Sequence, residues 1–105
     1  MKEHLKELYN YLTEKKCKEI AIYDLSAEAQ ACDYIYVATV NNTTNNKKLA
    51  LDLMQVFNME EYPEGYHKGE WIIFDFGQCL LHLFIGAVRE KYNLDKLWKS
   101  KKVTI

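Results

Sequence analysis

Three stretches of the chain place apolar side chains three and four residues apart, which is the spacing of an amphipathic helix. The first covers residues 2–16, where lysine and glutamate fill most of the other positions. The second covers 47–58, and the third covers 87–92 with a continuation over 94–98. The apolar positions of the first two are Leu5, Leu8, Tyr9 and Leu12, and Leu49, Leu53, Val56 and Phe57. The pattern therefore predicts two longer helices and a short one near the end of the chain.

Runs of β-branched, aliphatic and aromatic residues separate these helices and indicate strands. Residues 19–24 form a short run, and residues 33–40 are apolar or aromatic almost throughout, as in a strand that is covered on both faces. Residues 70–76 and 79–84 are joined by two residues, which predicts a β-hairpin. A further short strand is expected at 62–67.

The resulting order of elements is α-β-β-α-β-β-β-α, without repeats, low-complexity tracts or a linker longer than a loop. Because helices alternate with strands while neighbouring strands also pair, the order predicts an α/β fold. We expect a single domain over residues 1–105, with a mixed β-sheet of about five strands flanked by helices.

The charges nearly cancel, with 14 basic and 15 acidic residues and a formal charge of −1. This balance argues against a dominant nucleic-acid binder and against a polybasic membrane anchor. Lysines do cluster at 15–18 and 96–102, where we expect solvated faces. Peripheral contact with an RNA backbone, at the edge of a larger assembly, is the alternative. Arg89 is the sole arginine and thus the one side chain suited to bidentate planar recognition.

The start of the chain is charged throughout and lacks the apolar core of a signal peptide. No apolar run approaches the roughly 18–20 residues that cross a bilayer. The three cysteines are odd in number and widely spaced, which is typical of reduced thiols rather than of a disulfide framework. The sequence therefore predicts a cytoplasmic protein that has no membrane partner.

No spacing of potential ligands favours a metal or another cofactor. Cys79 and His82 lie three apart on a predicted strand, so their side chains point to opposite faces. Cys79 is expected to be a small buried hydrophobe, and His82 is either a hydrogen-bonded core residue or a group that faces a partner. The thiol of Cys32 precedes Asp33, whose charge disfavours the thiolate that catalysis needs.

An enzymatic alternative is a nucleotidyltransferase-like activity that uses Asp24 and Asp75 with magnesium. The sequence carries no glycine-rich loop that would cradle a phosphate. Isolated acidic residues at strand ends are usually turn or capping residues. The residues therefore favour a protein that is not an enzyme, with this activity as the alternative.

The predicted hairpin offers a surface for protein recognition. Its first strand sends Trp71, Ile73 and Asp75 to one face and Ile72, Phe74 and Phe76 to the other. The second set is typical of a core. An amphipathic tryptophan beside an acid has the chemistry of an interface centre, although a tryptophan packed beneath a helix would give the same pattern.

Several motifs along the chain resemble those of the ribosomal silencing factor family, also called RsfS or Iojap-like. In order, they are Asp33-Tyr-Ile-Tyr-Val-Ala, Glu64-Gly65, Gly69-Glu-Trp-Ile-Ile-Phe-Asp-Phe-Gly77, His82-Leu-Phe84, Arg89-Glu-Lys-Tyr92, Leu94 and Leu97-Trp98. The resemblance extends from the first helix to Trp98. One stretch departs from the family pattern, because Thr39-Val-Asn-Asn-Thr-Thr-Asn45 has neither the glycine nor the arginine that usually follow this strand.

The resemblance implies a function that composition does not reveal. Members bind ribosomal protein number fourteen of the large ribosomal subunit and block association with the small subunit, which represses translation when nutrients are short. They are not enzymes, their fold is similar to that of nucleotidyltransferases, and homodimers occur among them. The resemblance brings no cofactor.

We expect the partner-binding surface on the hairpin and the C-terminal motif. Trp71 is its predicted anchor, and Asp75 is expected to accept hydrogen bonds from a basic partner. Arg89 is expected to offer its fork to an acid or a phosphate. The predicted surface consists of Trp71, Asp75, His82, Arg89 and Tyr92.

Overall fold

A five-stranded sheet with helices on both faces forms the centre of the molecule. The computed structural model describes residues 3–28 and 32–103. The helices are α1 (Glu3–Glu14), α2 (Thr43–Val56), α3 (Gly86–Tyr92) and α4 (Leu94–Leu97), followed by a 3-10 turn at Lys99–Lys101. The strands are β1 (Lys18–Asp24), β2 (Tyr34–Val40), β3 (Trp71–Asp75), β4 (Cys79–Ile85) and β5 (Lys102–Val103).

The sheet has the strand order β3-β4-β2-β1-β5. The central pair, β2 and β4, is parallel, whereas the other neighbours pair antiparallel. A parallel pair needs a crossover, and the segment that contains α2 and β3 provides it. The prediction of an α/β fold with a mixed sheet of about five strands is confirmed, while the nucleotidyltransferase-like topology stays a prediction.

The first face of the sheet packs against α1 and α2 and forms the larger core. Its fully buried side chains include Leu12, Tyr36, Leu53, Phe74 and Leu81. The Tyr36 hydroxyl donates to the Leu5 carbonyl oxygen at 2.8 Å, so this buried polar group is satisfied. The core prediction for Ile72, Phe74 and Phe76 holds, with Phe76 half-buried at its margin.

The second face packs against α3 and α4 and forms a smaller core. Buried Tyr23, Val37 and Phe84 lie beneath half-buried side chains from these short helices. The helical side chains that contact this core are Val88, Leu94 and, just after α4, Trp98. The second face is therefore covered by two short helices, neither of which has a fully buried residue.

One predicted helix boundary and one predicted strand are wrong. Helix α2 begins at Thr43, earlier than predicted, because the Asn42 side chain caps it by accepting from the Asn45 backbone N–H at 2.8 Å. Residues 62–67 do not form a strand, and within them only Glu64 bridges to Ile73. Gly65 has φ +81°, and a Cβ there would lie 2.0 Å from the Trp71 carbonyl oxygen, so the chain turns at this glycine instead of extending.

The fifth strand lies instead at the C-terminal end, where Lys102 and Val103 pair with β1. Residues 104–105 of the predicted apolar end lie outside the described part of the chain, as do residues 1–2. The other predicted helices and strands are present, with bounds that differ by one or two residues.

Candidate partner-binding surface

Trp71 begins β3 and lies on the second face of the sheet, where its ring is half-buried. The ring stacks on Phe84 at a centroid distance of 4.8 Å and contacts Tyr92 of α3 at 4.9 Å. Since Trp71 and Phe84 are directly opposite each other on β3 and β4, the strand register produces this stack. The sequence left open whether Trp71 is exposed to a partner or packed against a helix. Both interpretations apply, because Trp71 packs beside a helix and is only half-buried.

His82 is buried and serves as the hydrogen-bond acceptor for this tryptophan. The indole Nε1–H of Trp71 donates to His82 Nδ1 at 2.9 Å, so the proton of the neutral imidazole is on Nε2. Burial lowers the pKa of His82 to about 4. His82 is thus a neutral, hydrogen-bonded core residue, which decides between the two readings left open by the sequence.

Tyr92 and Asp75 are the exposed members of the predicted surface. Tyr92 ends α3 with 52% of its surface exposed, and its ring lies against Trp71. Asp75 is exposed at the other end of β3, four residues and roughly 13 Å from Trp71 along the strand. One Asp75 oxygen accepts from the Gly77 N–H at 2.8 Å and so caps the hairpin turn. We name the exposed and half-buried side chains of this region the aromatic surface: Trp71, Ile73, Asp75, Leu80 and Tyr92.

Arg89 was expected to offer its guanidinium to a partner, and this prediction is wrong. The guanidinium donates its hydrogen bonds within the chain instead. Its Nε and Nη2 atoms donate to the two carboxylate oxygens of Asp95 at 3.0 and 2.8 Å. Its Nη1 donates to the Glu19 carbonyl oxygen at 2.6 Å and to Thr39 Oγ1 at 2.9 Å. A guanidinium with these four contacts is held in place and connects α3 to β1, β2 and α4.

Asp95 completes this arrangement from the opposite side. The Tyr23 hydroxyl donates to Asp95 Oδ1 at 2.6 Å. Burial alone would raise the pKa of Asp95, but the hydrogen bonds from Arg89 and Tyr23 outweigh it and hold that pKa below its ordinary value. Burial and the hydrogen bond to Asp95 raise the pKa of Tyr23. We name Arg89, Asp95, Tyr23 and Thr39 the polar lock.

Sequence reasoning missed most of the polar lock. Arg89 stood out as the sole arginine, but its partner Asp95 is six residues further on, across the boundary between two short helices. Asn93 makes this boundary, with φ +46° and ψ +53°. The left-handed residue turns the chain so that Asp95 faces Arg89, and an asparagine near a helix end is the one local signal for such a turn.

The two carboxylates of the enzymatic alternative lie far apart. Asp24 pairs with Tyr34 on β2, and Asp75 pairs with Leu80 on β4, so that three strand spacings separate them. At about 4.8 Å per spacing this amounts to roughly 14 Å, whereas magnesium ligands lie about 2.1 Å from the ion. The Asp24 carboxylate accepts from the backbone N–H and the hydroxyl of Ser26, as a turn residue does.

The cysteines and the surrounding structure show no activated group. Burial raises the pKa of the Cys79 thiol to about 12 and that of Cys17 to about 11, and it also raises the pKa of Cys32. Across residues 3–28 and 32–103, no three His, Cys, Asp or Glu side chains converge as metal ligands would. Among the helices of this described part, none is long and apolar enough to cross a membrane.

Comparison with known proteins finds relatives whose names refer to the ribosome. All 105 residues match the family described as "Ribosomal silencing factor during starvation", RsfS. The chain is 28% identical over 93 residues to the Ribosomal silencing factor RsfS of Treponema pallidum, which covers 85% of this chain and 84% of that protein. It is 24% identical over 98 residues to the mouse protein named "Mitochondrial assembly of ribosomal large subunit protein 1", covering 87% of this chain and 43% of that one.

A solved structure supports the fold independently. The crystal structure of a protein from Chromobacterium violaceum superposes with a TM-score of 0.79 at 26% identity. The superposition covers 100% of this chain and 92% of that one, so both faces of the sheet have counterparts there. With the family match over its whole length, the chain belongs to the ribosomal silencing factor family, RsfS.

Proposed function

We propose that this protein binds the large ribosomal subunit on the face that meets the small subunit, through ribosomal protein number fourteen. In this position it blocks subunit association by steric hindrance and represses translation when nutrients are limiting. The observation that carries the proposal is the family match over residues 1–105. The mouse relative, whose name refers to assembly of the large ribosomal subunit, supports the choice of subunit.

The aromatic surface is where we place the contact with the ribosomal protein. Protein interfaces have an apolar, aromatic centre and a polar rim. Here Trp71 and Tyr92 supply the centre, and the exposed carboxylate of Asp75 supplies an acidic rim that suits a basic ribosomal protein. Because the Trp71 indole N–H already donates to His82, the partner would meet the apolar part of the ring.

His82 and Arg89 contribute to this surface indirectly. His82 fixes the plane of the Trp71 ring through the hydrogen bond at 2.9 Å. Arg89 fastens α3 and α4 to the sheet through the polar lock, and α3 in turn carries Tyr92. Of the five predicted surface residues, we therefore assign direct contact to Trp71, Asp75 and Tyr92 and a positioning role to the other two.

This role needs no catalytic group or cofactor, and it places the protein in the cytoplasm with the ribosome. A second copy of the chain is a further proposed partner, because homodimers are expected from the family resemblance. Dimerisation is separable from ribosome binding, since analytical ultracentrifugation of the isolated protein measures it without ribosomes.

Co-sedimentation with purified large subunits in a sucrose gradient tests the proposal. Tyr92→Ala is the informative variant, and Tyr62→Ala is its matched control. The two tyrosines are exposed to similar extents, 52% and 56%, but Tyr62 stacks on Tyr66 beside the first core. We expect the wild type and Tyr62→Ala to travel with the large subunit. Tyr92→Ala should bind at least tenfold more weakly, because an interface anchor contributes about 1.4 kcal/mol or more.

Subunit joining is measured in the same gradients after small subunits are added. The wild type should lower the peak of joined ribosomes, and Tyr92→Ala should restore it. Asp75→Lys should also weaken binding to purified ribosomal protein fourteen, because it places a like charge against a basic partner. The proposal fails if the wild type does not bind large subunits, or if it binds them and leaves joining unchanged.

A further inference from the structure

Three neighbouring clefts lined with lysines lie on a different part of the molecule from the aromatic surface. The first, of about 710 Å³, lies beside the ends of β2 and α1 and is lined by Lys15, Lys16, Lys18 and Lys48. A middle section of about 360 Å³ shares Thr39 and Gly86 with this cleft. A third section, of about 950 Å³, shares Arg89 and Asp95 with the middle one and is lined by Lys96, Lys99 and Lys102. We name the three sections together the lysine groove.

Charge is strongly segregated into this groove. Eight basic and four acidic side chains line its three sections, which gives a formal charge of +4. The chain as a whole carries −1, so the rest of the sequence carries −5. The near-neutral composition thus hides a positive groove on an otherwise negative molecule, and a concave positive surface concentrates anions.

The internal ion pairs leave most of the lysine charge available. Asp52 pairs with Lys15 at 3.5 Å, and Asp95 is taken up by Arg89. Two further acidic residues, Glu19 and Glu90, line the three sections together with six further lysines. The N-terminus of α2, where Asn41 and Asn45 line the cleft, has no acidic residue in its first turn and adds a positive dipole end.

The length of the groove favours a polymer over a single phosphate. Lys18 begins β1, and Lys102 pairs with Tyr23 near the other end of that strand. Five residues of strand correspond to roughly 16 Å, so the lysines of the two end sections are separated by several phosphate spacings. Lysine ammonium groups on flexible stems suit phosphates without reading sequence, whereas the one planar fork, Arg89, is engaged internally.

We propose that the lysine groove binds the phosphodiester backbone of RNA without sequence specificity. In the ribosome-bound state this contact would add to the protein contact made by the aromatic surface. The two surfaces share no residue, and β4 and β2 separate the Trp71 edge of the sheet from β1. The inference stands apart from the proposed function, because RNA binding is measured on the isolated chain without ribosomes.

Fluorescence anisotropy with a labelled RNA hairpin of twelve base pairs tests the groove. The groove variant is the triple substitution Lys18→Gln, Lys48→Gln and Lys99→Gln, which removes charge from both ends. The control variant, Lys6→Gln, Lys68→Gln and Lys91→Gln, has the same net charge, and its sites are exposed and outside the groove. All six positions are exposed, and circular dichroism checks that both variants remain folded.

We expect the wild type to bind the hairpin with a salt dependence that corresponds to several released counterions. The groove variant should bind at least tenfold more weakly at 50 mM salt, with a slope of log Kd against log salt that is smaller by up to about three. The control variant should stay within twofold of the wild type. Tyr92→Ala should also keep its RNA affinity, which separates this contact from the one with ribosomal protein.

Three results would overturn the inference. The first is that the wild type shows no RNA binding at 50 mM salt. The second is that both triple variants lose the same affinity, which would reduce the effect to net charge. In the third case, ATP at submillimolar concentration would displace the hairpin from the wild type, identifying the groove as a mononucleotide site instead. If large subunits still co-sediment in any of these cases, the proposed function is unaffected.

Discussion

The two faces of the sheet are built differently. On the first face, α1 and α2 cover a large apolar core in which Phe74 and Leu53 are completely buried. On the second face, two short helices without fully buried residues are fastened by the polar lock, and Trp71 remains half-exposed. From this comparison we predict that the first face supplies most of the stability, and we propose that the second makes the contact with a partner.

Both tryptophans of the chain lie on the second face, which makes the comparison measurable. Trp71 contacts His82 and Phe84, and Trp98 packs on Tyr23 at a centroid distance of 5.9 Å. Tryptophan fluorescence therefore reports on the second face, while far-UV circular dichroism reports on the whole fold. A substitution that affects one face can thus be distinguished from one that unfolds the molecule.

The largest expected effect is that of Phe74→Ala on the first face. Removing a fully buried phenylalanine should lower the free energy of unfolding by about 3–5 kcal/mol, because burial is lost and a cavity remains. Urea denaturation measures this value. Phe57→Ala is the control, since Phe57 is 47% exposed, and it should cost less than about 1.5 kcal/mol. Equal losses for the two variants would show that burial in the first core does not determine the cost of removing a phenylalanine.

A smaller effect is expected from Arg89→Ala on the second face. The substitution leaves Asp95 without its bidentate partner, and breaking a buried pair costs about 3–5 kcal/mol. The side chains are 11% and 29% exposed, so solvent screening reduces the expected loss to about 2 kcal/mol. Arg89→Lys should recover only part of it, because an ammonium lacks the planar fork that reaches both Asp95 oxygens while also contacting Glu19 and Thr39.

The tryptophan fluorescence of this variant shows whether the loss of the polar lock loosens only the second face or unfolds the whole molecule. In folded Arg89→Ala the tryptophan emission should shift to longer wavelength, because α3 and α4 are no longer held against Tyr23 and the sheet. Glu90→Ala, the exposed neighbour, should change neither fluorescence nor stability beyond about 0.5 kcal/mol. An unchanged spectrum in Arg89→Ala would show that the polar lock is not what holds the second face.

The same contrast between the two faces explains which parts of the structure could be predicted from the sequence. On the first face, helical stripes and strand alternation follow from local spacing, so α1, α2, β3 and β4 were predictable. The core role of Ile72 and Phe74 followed from the period of two along one strand. The proposed function came from the family resemblance, since no local pattern distinguishes a partner-binding surface from another half-buried aromatic cluster.

The structure of the second face could not be predicted in detail, because it depends on contacts that no local sequence pattern reveals. The Arg89 fork was assigned to a partner because nothing in the sequence shows that Asn93 turns Asp95 towards it. Strand β5 was missed because two residues carry no periodicity, and it exists only through its pairing with β1. The lysine groove was likewise hidden in two clusters that are distant in sequence and meet only in the fold.

The smallest change, a proton on His82, is expected to act on the second face first. The pKa of His82 in the folded protein is about 4, below the value of 6.5 expected when unfolded. The unfolded chain therefore binds the proton more readily, so stability is complete above pH 6.5 and declines as the pH falls towards 4. Between pH 7 and pH 5 the loss attributable to His82 should be about 2 kcal/mol.

Substitution of His82, with His67 as the control, isolates this contribution. His82→Gln keeps an acceptor for the Trp71 indole but cannot be protonated, so its free energy of unfolding should depend less on pH by that amount. His67→Gln, at an exposed site, should keep the full wild-type dependence. Since a protonated imidazole cannot accept from Trp71, the loss of the hydrogen bond should shift tryptophan emission in the wild type before far-UV circular dichroism changes. Coincident acid transitions by both probes would contradict this expectation. They would show that the two faces unfold as one unit, although they are packed differently.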